Sequence, residues 1–118
     1  MARRRGTAGR PGPAPEPERA ALLGEHTAEV AAVAEWLREI VLGALPDASE
    51  RVYRGWHGFG YHHPDAGYVC AVFPRADDVL LAFERGVRLD DPHGLLSGDG
   101  RTVRWVHVTT PGDPPADA

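Results

Sequence analysis

Lysine, asparagine and glutamine are absent from the 118 residues, cysteine and methionine occur once each, and no apolar run approaches the ~20 residues that span a bilayer. A single cysteine excludes a disulfide scaffold. Arg3-Arg4-Arg5 has the look of an export signal, but no apolar stretch of ~7–15 residues follows it, so the expected location is the cytoplasm, with no membrane partner. All 13 cations are Arg, which together with abundant Ala, Gly, Pro and Val points to coding bias in a G+C-rich genome rather than to Arg chemistry.

Apolar residues are also unevenly spread. Residues 1–19 lack Val, Ile, Leu, Phe, Trp and Tyr but hold four Pro, three Gly and five Arg, the composition of a disordered arm. Residues 111–118 carry three more Pro and read as a flexible tail, leaving a single domain over 20–110. Charge divides the same way: the arm is net positive, while residues 20–118 set eight Arg against fifteen acids. A folded part of that sign is a poor nucleic-acid binder.

From Ala20 to about Ala44 helix formers predominate, and Val30, Val33, Leu37, Ile40, Val41 and Ala44 recur at helical spacing, as expected of one helix on a sheet. Glu25, Glu29, Glu35 and Glu39 share a separate arc of about 120° at ~100° per residue. Leu45-Pro46-Asp47 ends the helix. Arg51 to Trp56, Tyr68 to Phe73, Asp78 to Phe83 and Thr102 to Thr109 then read as strands, with a short extra one through Phe59-Gly60-Tyr61. The fold class is α+β: a two-layer sandwich of an N-terminal helix on an antiparallel sheet of four to five strands.

Leu45-Pro46-Asp47-Ala48 ahead of Tyr53 and Gly55, then the run Val79 to Gly86, Asp91-Pro92, Gly94-Leu95-Leu96, Gly98, Gly100 and Arg104, stand in the order and spacing of one known family. The chain resembles the YdhG-like domain, a small bacterial domain some of whose members are described as frataxin-like iron chaperones. The resemblance implies this fold, weak iron binding through surface carboxylates and an iron acceptor protein as partner. Similar proteins commonly continue into a C-terminal helix, whereas here Thr109-Thr110-Pro111-Gly112 leads into the tail. One helix ~10 Å across covers about half of one face of a sheet ~19–24 Å wide, yet strands 68–73 and 79–83 are apolar on both faces. The expected cover is the 86–98 segment folding back, a second copy in a homodimer, or a ligand in an aromatic groove.

Two sets of residues carry the candidate chemistry. Iron as a cofactor or cargo would use the carboxylates of Glu25, Glu29, Glu35 and Glu39, with His57, His62, His63 and Asp65 adding imidazole and carboxylate donors. The alternative is a small-ligand-binding or protein-interaction module. In it, a small anionic or aromatic ligand or a protein partner would use a cleft or face of Tyr53, Trp56, Tyr61, Arg54 and Trp105. No catalytic constellation is visible. Cys70 lies in an apolar strand, Ser49 and Ser97 lack a nucleophile-elbow context, and Gly55, Gly58 and Gly60 do not open a helix.

Overall fold

The computed structural model describes residues 11–113, so the predictions for residues 1–10 and 114–118 lie outside the described residues. Within them the fold is α+β: helices α1 (Glu16–Leu23) and α2 (Ala28–Ala44) lie on a five-stranded antiparallel sheet. The strands are β1 (Ser49–Tyr53), β2 (Gly58–His63), β3 (Gly67–Pro74), β4 (Val79–Phe83) and β5 (Arg104–Val108), and their spatial order is their chain order. No helix of the described residues is long and apolar enough to cross a membrane.

The single helix expected over Ala20–Ala44 is two. Gly24 closes α1, and the hydroxyl of Thr27 accepts from the amide of Val30 at 3.1 Å, starting α2 afresh. A hydroxyl that satisfies an otherwise orphaned helix-start amide outweighs the loss of one continuous turn. The ordered region also begins earlier than residue 20. Glu16 and Glu18 occupy the first turn of α1, where the helix dipole favours acids, and Leu22 is fully buried. Upstream, Gly12 bonds Ala48 and Glu50 along the outer edge of β1, blunting that edge. Residues 11–19 therefore belong to the domain rather than to an arm.

Cross-strand register sorts the side chains. Val52, Phe59, Val72, Leu81 and Val106 form one row towards the helices, as do Glu50, Tyr61, Cys70, Phe83 and Arg104. The core gathers Val30, Val33, Leu37 and Val41 of α2 over Phe59, Tyr61, Cys70 and Val72. The opposite row is Arg51, Gly60, Ala71, Ala82 and Trp105, small through its centre. Large rings from the flanks lie over those small residues. A Cβ on Gly60 would meet the Tyr53 ring at 2.6 Å, and one on Gly58 the Phe73 ring at 2.5 Å. Ala71 is fully buried as a result. That face thus covers itself, and the shortage of cover falls elsewhere.

Candidate functional site

The shortage is on the helix side. α1 packs on β1 and α2 mainly on β3 and β4, while the short turn Gly86–Arg88 reaches β5. Between α2 and the free part of the sheet runs a groove of about 480 Å³. Trp36, Ile40 and Ala44 of α2 form one side, and Leu81, Phe83, Val106 and Val108 form the floor. A bulge between β2 and β3 leaves Val69 without an opposite residue, and Val69 and Cys70, although adjacent, both line the groove. Burial pushes the Cys70 thiol up to about 12, so it is a small apolar floor residue rather than a nucleophile.

The far wall is the loop after the single helical turn Gly86–Arg88, and it brings Leu89, Leu95 and Leu96 against the groove. The loop is shaped by Asp91, whose carboxylate accepts from the amides of Leu95 at 2.7 Å and Leu96 at 3.1 Å. Gly94 permits the turn by adopting φ +66°, a region open to glycine. Ser97 pairs in both directions with Trp105 of β5, anchoring the far end. The 86–98 segment does fold back, as a wall rather than a lid, and leaves the groove open.

On the other flank of α2 a charged network is sealed in. Arg38 Nε and Nη2 donate to the two oxygens of Glu50, each at 2.6 Å, and Tyr61 Oη donates to Glu50 at 2.5 Å. The amide of Ala14 gives the same carboxylate a fourth bond at 3.0 Å. Burial opposes the charge on Arg38, but Glu50 more than offsets this and raises its pKa; burial, followed by Glu50, drives the Tyr61 phenol upward. Every group has its partner, which marks a structural clamp between α2, β1 and β2. Arg38 stands only about 40° beyond Ala34 on the helix. That position, beside an apolar arc, was the available signal for it.

The residues singled out in the sequence are dispersed. Glu25, His57 and Arg54 meet: Arg54 Nη2 donates to Glu25 at 2.8 Å, and His57 Nδ1 lies 3.9 Å from the same carboxylate. His26, in the loop between the helices, meets His57 Nε2 to Nε2 at 2.7 Å. Glu35 is drawn off to Arg38 at 2.6 Å, while Glu29 and Glu39 stay exposed along α2. His62 Nε2 is 2.6 Å from the Tyr53 hydroxyl, and burial followed by Arg51 holds its pKa down. His63 Nδ1 accepts from the Asp65 amide. Among the described residues no group of three or more His, Cys, Asp or Glu is placed to hold a metal ion.

The aromatic cleft does not assemble either. Trp56 stacks on Tyr53 with ring centroids 4.2 Å apart, but Tyr61 is buried on the opposite face and Trp105 sits on β5, at the far edge of the sheet from β1. Arg54 is committed to Glu25. Trp36 falls angularly within the acidic stripe of α2, which hid its role in the groove.

Comparison with protein-family models, with curated proteins and with solved structures finds no match. The resemblance to the YdhG-like domain thus rests on the residues quoted for it above.

Proposed function

We propose that the chain is a binding module whose helix-side groove holds a small, largely apolar molecule. The carrying observation is the groove itself. Its 480 Å³ falls in the ~300–1,000 Å³ range of small-molecule sites, and its apolar walls carry a few convergent polar groups, as such sites do. This replaces the aromatic and Arg-lined face as the place for the ligand. The carboxylate-based iron reading has less support, because Glu25 and Glu35 already hold Arg54 and Arg38.

A neutral solvatochromic dye such as Nile red tests the reading. The wild-type protein is expected to bind it with a blue shift. Val106→Trp, which adds an indole to the floor, is expected to abolish that binding while far-UV circular dichroism is unchanged. Equal dye binding by the variant would overturn the groove as the site. Sedimentation of the dye-free protein reads the competing occupant, because a second copy seated in the groove would give a dimer that Val106→Trp dissociates. A titration with Fe²⁺ monitored by amide NMR is expected to show no localised change along α2.

A further inference from the structure

We infer that the ligand is a cationic amphiphile, an apolar chain or ring system bearing a protonated amine; this rests on the groove being the binding site. The polar groups that line the groove are Asp90, Asp91 and His93, all on the loop wall. No Arg is among its lining residues in the described part of the chain. A ligand that buries its apolar body between α2 and the floor therefore places its polar end beside two carboxylates.

Asp91 is held by two backbone amides, so it meets a cation with little side-chain freedom left to lose. Asp90 is its neighbour on the same wall and is exposed. The apolar floor lowers the local dielectric next to them and strengthens attraction to a cation, although their exposure keeps the effect modest. Longer-range attraction has the same sign. The chain carries 13 Arg against 17 acids, a net −4, which favours cations over an anionic head group such as a fatty-acid carboxylate. His93, on the same wall, adds a ring nitrogen as a further polar group beside the ligand's head.

Calorimetric titration of the full chain with decylamine, decanol and decanoate, at pH 7, low salt and below their aggregation thresholds, separates the possibilities. The amine is expected to bind about fivefold tighter than the alcohol, the size of an exposed ion pair, and decanoate weakest. Asp90→Asn, at an exposed loop position, is expected to lower the amine's advantage over decanol by about twofold, with Asp91 keeping the rest, and ~0.5 M salt is expected to lower it further. An unchanged amine-to-decanol ratio in both would overturn the role of the carboxylates. Equal binding of all three overturns the cationic preference and leaves the groove reading standing. Tightest binding of decanoate overturns the preference outright. Binding of none, with no uptake of Nile red, overturns the groove reading with it.

Discussion

Glu50 is the residue on which the helix layer most depends. It is 4% exposed and receives four hydrogen bonds from two elements, α2 and β2, and from the segment ahead of α1. Removing one partner of such a pair strands the other in a dry interior, at about 3–5 kcal/mol. Glu50→Ala is therefore expected to lose that much in urea unfolding, and the double variant Arg38→Met/Glu50→Leu far less, because no charge is left buried. A loss below about 1 kcal/mol for Glu50→Ala would mean water reaches the clamp. His62 supplies a pH dependence. Its folded pKa lies below the ordinary 6.5, chiefly through burial and then Arg51, so the fold prefers the neutral ring. The unfolded chain takes up the proton first as pH falls. The stability due to neutral His62 is thus complete above about 6.5 and is lost on descent towards the folded value. NMR titration should place the His62 midpoint below 6.5, and His62→Gln should flatten the acid side of the stability curve; a midpoint at or above 6.5 would contradict the assignment.

At the scale of elements, most of the architecture was legible because period and punctuation agree in this sequence. The continuous β-branched and aromatic runs Tyr68 to Phe73 and Val79 to Phe83, and the turn residues between them, specify a hairpin whose observed register pairs Phe73 with Leu80. The break in the helix was less visible, since Thr27 acts through one hydroxyl and the apolar spacing continues across it. The strand β2 was underestimated for a different reason. Its glycines lower strand propensity locally, but they are where neighbouring rings settle. The side on which cover is short could not be read from composition, because apolar residues on both faces look alike until Tyr53 and Phe73 are seen to fold over Gly60 and Gly58. This yields a direct test. Gly60→Ala puts a methyl 2.6 Å from the Tyr53 ring, so the Tyr53–Trp56 stack has to shift, with an expected loss of about 1–3 kcal/mol and a change in Trp fluorescence. An unchanged melting temperature and spectrum would show that the rings do not rest there.

At the scale of the whole molecule, one two-part helical layer meets a five-stranded sheet and leaves a groove open on its β5 side. Counting one helix against the strands made the deficit legible in the sequence. Its position was not legible, because it depends on α2 crossing β3 and β4 and on the loop after β4 stopping at the rim. The dispersal of the acidic and histidine residues has the same origin, since side chains close in sequence were sent to different faces by a helix break and a bulge. The most direct measurement of the central claim is a methyl-NMR titration of the full chain with decanol, a neutral ligand that makes no demand on charge. Shifts confined to Ile40, Leu81, Leu95, Val106 and Val108, saturating together, are the predicted result. Shifts centred on Leu80 and Ala82 of the opposite face, or none that saturate, would contradict it.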